Sequence, residues 1–430
     1  MRPPSRSWHH SGVSNGRHPR VQSVSEETRV TPIELFFDLV FVFSLTQVTA
    51  LMADDLTGWG IVRGMLVLAL LWWCWVGFAW LSSVLRADEG IGRVAMFGAM
   101  AAMLVLALSV PEAFDDRSGG LSGPVVLAIA YLAVRLLHLG IFWLLAGEDP
   151  GLRRQLLRFM PSVLGSTALL LVASQLDGQA QTLAWLAVVI VDYAGTMLAG
   201  ASGWRLNSAG HFAERHGLIL IVALGESIVA IGVGVAALPI SAPIVVASVL
   251  GLTVAGCIWW AYFDVVSLMA ERVLRRSEGE ERTRMARDAY SYLHLPMIAG
   301  VVLLALGMKK VLEFAGDEAR HDLSEALAGL PLIAMYGGVA LYLFANVAFK
   351  YRIVHRANVH RSVAGALLLA LIPLAARIPA LAALGLVTAV MVAVIAFEAV
   401  RFSDIREQVR HEEDEAVSRL GRDPDVNTHQ

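Results

Sequence analysis

Charge is scarce in this chain, and what there is keeps to a few stretches. Only 17% of the 430 residues are Asp, Glu, Lys or Arg, against about a quarter in a soluble globular protein. With 57% hydrophobic residues and a mean hydropathy of +0.62, that shortage excludes a soluble globule. Cysteine is nearly missing: Cys74 and Cys257 are the two, each inside an apolar run. Neither has the spacing of a disulfide framework or a metal site, so no metal is expected. HExxH, a G-x-S-x-G elbow, a P-loop and a paired-cysteine motif are all lacking, which argues against an enzyme, against a bound cofactor and against ATP-driven transport by this chain alone. The net charge of -3 comes without a basic face, so nucleic acid is not an expected partner. A cleavable signal is not expected before the first apolar run, because residues 1–29 are polar; they read as a disordered tail.

What the chain does have is long apolar runs. Windows of about 20 residues give twelve expected transmembrane helices, centred near Val42, Leu70, Met100, Val134, Ala168, Asp192, Ser227, Ala255, Val301, Leu341, Leu369 and Ala389. The fold class expected is therefore all-α, a polytopic membrane bundle over residues 30–401, with a charged C-terminal tail at 402–430. Lysine and arginine set the orientation. If the N-terminus is cytoplasmic, only Arg63, Arg117, Lys309, Lys310, Arg320 and Arg377 fall outside and Arg135 alone falls mid-span; the rest of the 34, including Arg215 and Arg361, sit in or beside inner segments. That asymmetry places both termini in the cytoplasm of a multi-pass inner-membrane protein, with the lipid bilayer as a partner and the oligomeric state open. An internal repeat is also expected. Leu71-Trp72-Trp73-Cys74-Trp75 in the second span matches Ile258-Trp259-Trp260-Ala261-Tyr262 in the eighth, and an offset of six spans keeps both copies in one orientation, giving parallel halves 30–205 and 206–401.

The chemistry rests on the few ionisable groups inside spans: Asp38, Arg135, His138, Asp192 and Glu226. The stretch TPIELFFDLVFVFSLTQVTALM, residues 31–52, carries Glu34 and Asp38 four residues apart on one helical face. Glu34 reads as the N3 acid of a capping box opened by Thr31 and Pro32. Asp38 is too deep to cap anything; it is either functional or half of a buried ion pair. Arg135 and His138 share a face, and Arg135 lies at a depth similar to both Asp192 and Glu226. One base therefore faces two acids, and the acid left over is a candidate for proton or ion exchange. Gly225, Ser227, Gly232 and Gly234 around Glu226 suit close helix packing or a break in the helix.

Two motifs, TPIELFFDLVFVFSLTQ and HFAERHGLILIVALGESIVAIG, together with the tryptophan motifs and Tyr292-Leu293-His294-Leu295-Pro296, resemble those of the bacterial low temperature requirement protein A (LtrA) family from about Val30 to Arg401. The resemblance implies a multi-span inner-membrane protein associated with cold or other stress adaptation. It carries over Glu34, Asp38, His211, Glu214, Glu226 and His294 as characteristic positions, without assigning them roles. Where the family tends to have Asn and Thr after the second-span tryptophans, this chain has Gly77 and Ala79. The function expected is a secondary transporter or channel-like permease for an ion or small solute, with Asp38, Arg135, Asp192 and Glu226 along one polar route. The alternative is a non-transporting scaffold or sensor responding to lipid state or temperature.

Overall fold

The computed structural model describes residues 29–401 apart from 202, 237 and 318–320; the expected tails, save Arg29, lie outside the described residues. The chain forms α1 (Pro32–Asp54), α2 (Gly58–Ser82), α3 (Gly90–Leu108), α4 (Gly123–Ala146), α5 (Pro150–Ala173), α6 (Gly178–Ala199), α7 (Ala209–Val235) and α8 (Ala242–Phe263). Two short helices follow, α9 (Val266–Arg276) and α10 (Gly279–Met285), then a π-helical segment, Ala286–Tyr292. The last four are α11 (His294–Gly316), α12 (Leu330–Val354), α13 (Val359–Ala375) and α14 (Ala380–Arg401). Every expected span centre falls in one of the twelve long helices, and eleven helical segments are long and apolar enough to cross a membrane. The exception is α13. Its 17 residues reach roughly 25 Å at 1.5 Å per residue, short of the ~30 Å hydrocarbon core, and Pro373 near its end withholds a backbone donor.

Helix α2 stands at the centre. All its residues from Leu66 to Ser82 are buried, and α1, α4, α6, α7 and α11 pack around it. Its tryptophans find partners for their N–H groups, as buried indoles must. Trp72 donates to the Ser291 carbonyl at 2.7 Å and Trp80 to the Ser291 hydroxyl at 2.9 Å. Outer helices bury one side only. Val245, Val249 and Leu252 make an exposed apolar stripe on α8, and Leu186, Ile190 and Leu198 do so on α6, the pattern expected of helices that face lipid rather than water.

The expected duplication is not shown by these elements. Trp72 and Trp73 lie in the core, whereas their counterparts Trp259 and Trp260 are 43% and 40% exposed. Sequence similarity between the two motifs therefore spans two different environments.

Without a hydrophobic drive between helices in lipid, close packing depends on small residues. A Cβ on Gly338 of α12 would lie 2.6 Å from the Gly300 carbonyl oxygen of α11, and one on Gly300 would lie 2.5 Å from the Gly338 carbonyl. The adjacent Gly337 has nothing within 4 Å of its would-be Cβ. Gly338→Ala is therefore expected to cost about 1–3 kcal/mol by overpacking, while Gly337→Ala is neutral or gains up to about 1 kcal/mol of helix propensity. Thermal unfolding of the two variants in detergent checks this; equal midpoints would mean that α11 and α12 are not in backbone contact.

Candidate functional site

The polar residues gather on two sides of α2. On one side, α1 and α7 run parallel and meet at two levels. At the lower level Glu34 begins as expected, its carboxylate accepting from the Thr31 backbone N–H and hydroxyl, both at 2.8 Å. It also does more than cap. Arg215 of α7 reaches it at 3.1 Å and His211 at 3.0 Å. The second guanidinium nitrogen of Arg215 meets Asp38 at 2.8 Å, and the same Asp38 oxygen accepts from the Trp75 indole at 2.8 Å. The Arg215 guanidinium lies 5.4 Å from the Trp75 ring centre, a cation–π contact on the face that α2 presents.

All four ionisable side chains of this cluster are buried. Two carboxylates face one guanidinium, so neutrality in a low-dielectric interior asks for one further proton. Asp38 Oδ2, His211 Nδ1 and Arg215 Nε make no hydrogen bond within the protein. The cluster thus has polar capacity left over.

The upper level lies eleven residues further along both helices, three turns on and roughly 16 Å away. There Glu226 is buried and accepts from the Thr46 hydroxyl at 2.5 Å, with Thr49 beside it. No guanidinium or ammonium pairs with it within ion-pair distance among the described contacts; Lys309 of α11 acts on it only electrostatically. Between the levels the helices close on Phe41, Leu45, Ile219, Leu220 and Ala223, all fully buried.

On the other side of α2, Arg135 of α4 pairs with Asp192 of α6 at 3.1 Å. Tyr131 completes the arrangement by donating to Asp192 at 2.5 Å. Both members of this pair are buried, so it closes as a structural pin between α4 and α6. His138 is buried beside it, and neither ring nitrogen finds a protein partner.

The single polar route expected from Asp38, Arg135, Asp192 and Glu226 is therefore corrected. Arg135 takes Asp192, not Glu226, and the body of α2 separates that pair from Asp38 and Glu226. Two further corrections concern arginine. Arg215 and Arg361, expected in or beside inner connecting segments, are both buried within helices, so Arg135 is not the sole basic group deep in the bundle. Arg361 binds Glu398 at 2.7 Å and donates to the Ala261 carbonyl at 2.6 Å and to Asn346 at 2.5 Å, joining α13 to α14, α8 and α12. Glu398 is a member of that network.

Of the other motif positions, Glu214 is exposed and accepts from the Val30 amide at 3.2 Å. His294 is fully buried. The Tyr262 hydroxyl lies 2.9 Å from its Nε2, and its Nδ1 lies 3.2 Å from the Ala289 carbonyl. The ring stacks on Tyr290 with centroids 5.3 Å apart and meets His216 at 5.1 Å. Among the described residues no group of three or more His, Cys, Asp or Glu side chains is placed to hold a metal ion.

Comparison with known proteins adds an outline of kinship. Residues 29–396 match the family model described as Bacterial low temperature requirement A protein (LtrA). A relative in Rhizobium meliloti (strain 1021), the uncharacterized protein RA0937, is 28% identical over 340 residues, covering 76% of this chain and 80% of that one. No solved structure matches.

Two expected outcomes follow from the ion pairs. Arg135→Leu strands Asp192 and costs about 3–5 kcal/mol; adding Asp192→Asn recovers much of this, whereas adding Glu226→Gln does not. Detergent thermal stability of the single and double mutants checks it, and equal recovery by both second changes would mean that the pairing is wrong. Arg215→Lys should also destabilise, by about 2 kcal/mol or more, because one ammonium cannot reproduce a planar fork shared between two acids. Unchanged stability of that variant would show that only one of the two contacts matters.

Proposed function

Since the chain belongs to the bacterial low temperature requirement A family of multi-span membrane proteins, we propose that it is a proton-coupled secondary transporter or permease for an ion or small solute, lying in the cytoplasmic membrane with both termini inside. The observation that carries the reading is the charge imbalance along α1 and α7. Three buried carboxylates, Glu34, Asp38 and Glu226, lie along this seam, and the guanidinium of Arg215 pairs with only the first two. Such an excess is costly in a bilayer interior unless protons are taken up, and groups that hold protons for that reason are the usual elements of membrane proton relays.

The division into two levels supports coupling rather than an open wire. One proton site lies near the arginine-rich end and another about three turns deeper. The apolar layer between them closes the seam, so a proton passes from one level to the other only if α1 and α7 shift. A transporter that alternates between two accessible faces requires such a barrier. Glu226 is the group best placed to load and release a proton, because it is buried with the hydroxyls of Thr46 and Thr49 beside it and no guanidinium or ammonium within ion-pair distance among the described contacts.

Purified protein in liposomes carrying an internal pH dye provides the test. An imposed pH gradient is expected to collapse faster than in empty liposomes once the transported solute is present, and Glu226→Gln should slow this by about tenfold or more while leaving thermal stability within about 1 kcal/mol. If neither protons nor any of a panel of ions and small solutes moves faster than through empty vesicles, the permease reading fails. A scaffold or sensor role for the same bundle would then take its place.

A further inference from the structure

We propose that the cavity between α2, α4, α5, α6 and the π-helical segment is a binding site for a compact, uncharged, planar molecule carrying a carbonyl group, of the size and chemistry of a small primary amide. This inference is independent of the proton-coupled reading, which rests on the far side of α2.

The cavity has a volume of ≈ 50 Å³, room for about three to five waters at 10–15 Å³ each, or for one molecule of similar bulk. Its walls are aromatic: Trp73, Trp80, Phe159 and Trp204. Flat faces of this kind stack on planar groups and offer water little. Most of the polar side chains that reach the cavity are already engaged. Thr196 donates to the Asp192 carbonyl, Thr283 to the Gly279 carbonyl, and Ser291 accepts from Trp80 while donating to the Ala286 carbonyl. Arg287, at the edge, is paired with Asp288.

Three atoms are left over, and all belong to buried side chains that line the cavity: Arg135 Nε and both ring nitrogens of His138. Arg135 is 2% exposed and His138 4%. A neutral imidazole offers one donor and one acceptor, and the guanidinium adds a donor. A primary amide complements the guanidinium and one edge of the ring: its oxygen accepts from Arg135 Nε–H and its NH₂ donates to the His138 nitrogen that carries the lone pair, the two ring nitrogens pointing too far apart for one small molecule to reach both. Three to five waters would depend mainly on one another for hydrogen bonds, since three free atoms and aromatic walls give them few protein partners. Charge excludes a carboxylate of the same shape. The positive charge of Arg135 is already balanced by Asp192, so an anion would enter a site of net charge zero and stay uncompensated.

The cavity also has an approach. Ala201, Trp204 and Thr283 form a wall common to it and to a second cavity of ≈ 610 Å³, lined by the polar groups Asp149, Arg205, Glu278 and Arg282 at the arginine-rich end of the bundle. Room beside His138 depends on Gly77 of α2. A Cβ there would lie 3.4 Å from the imidazole, so a larger side chain would fill the space that the ligand takes.

The full chain in detergent, probed by saturation-transfer NMR with acetamide and with acetate, tests the site. Acetamide is expected to show transfer in the unaltered protein while acetate stays at background. Gly77→Leu, which fills the cavity, and His138→Phe, which keeps a ring but removes both nitrogens, should each weaken acetamide binding about tenfold or more, the worth of one or two hydrogen bonds in a buried site. Thermal melts establish that each variant is folded; if Gly77→Leu is not, His138→Phe decides. Acetamide transfer unchanged in the folded variants, acetate transfer equal to that of acetamide, or no transfer from either probe, as for a cavity holding water only, would each overturn the assignment.

Discussion

A guanidinium that leaves water for a hydrocarbon interior must be met by a carboxylate, and this bundle is pinned wherever that happens. Arg215 ties α7 to α1, Arg135 ties α4 to α6, and Arg361 ties α13 to α14. Lipid tails give apolar side chains no reason to prefer one helix neighbour over another. Unpaired charges do. Breaking such a pair costs several kcal/mol, which is enough to select one arrangement of twelve similar rods from many that bury equal apolar area. Glycine contacts such as Gly300 against Gly338 then refine the distance between helices whose neighbours the charges have already decided.

Much of this architecture was legible in the sequence. Helix number and position follow from hydropathy, because a bilayer forces every backbone polar group into internal hydrogen bonds and leaves the helix as the simplest answer. The start of α1 was also legible, since Thr31, Pro32 and Glu34 carry a local signal. What escaped was partnership. Arg215 looked like a loop residue because α7 begins well before its most apolar window, so the helix extends through His211 and Arg215 to Ser208, whose hydroxyl accepts from the His211 amide at 3.2 Å. The spacing that betrays it was available: Arg215 and Glu226 are eleven residues apart, as are Asp38 and Thr49, and eleven residues bring a helix back to nearly the same face. The choice between Asp192 and Glu226 as partner of Arg135 was not legible, because depth in a span is a one-dimensional quantity. Only packing in three dimensions puts α2 between the candidates.

Tryptophan does two jobs in α2. Trp75 turns its N–H toward Asp38 and its ring toward Arg215, while Trp73 faces the opposite cavity and stacks on Tyr193 with centroids 4.2 Å apart. One helix thus furnishes walls for both polar regions and keeps their charges apart, since an uncharged aromatic layer lies between them. A membrane protein with two internal polar regions needs such insulation if each is to keep its own charge balance.

The π-helical segment Ala286–Tyr292 gives the bundle its angular phase. Its wider turn moves the Leu293 amide on to the Asp288 carbonyl, and Ser291 is presented to two indoles at once. Such segments are in effect a residue inserted into an α-helix. Taking one residue out would return the stretch to ordinary winding and rotate everything before it by about 100° relative to α11. Arg287 and Asp288 would then swing away from Arg352, which Asp288 now holds at 3.1 Å, and Trp72 would lose its acceptor. A change of length by one residue, in a stretch where substitution alters little of the apolar character, would thus act as a change of gear between the two ends of the molecule.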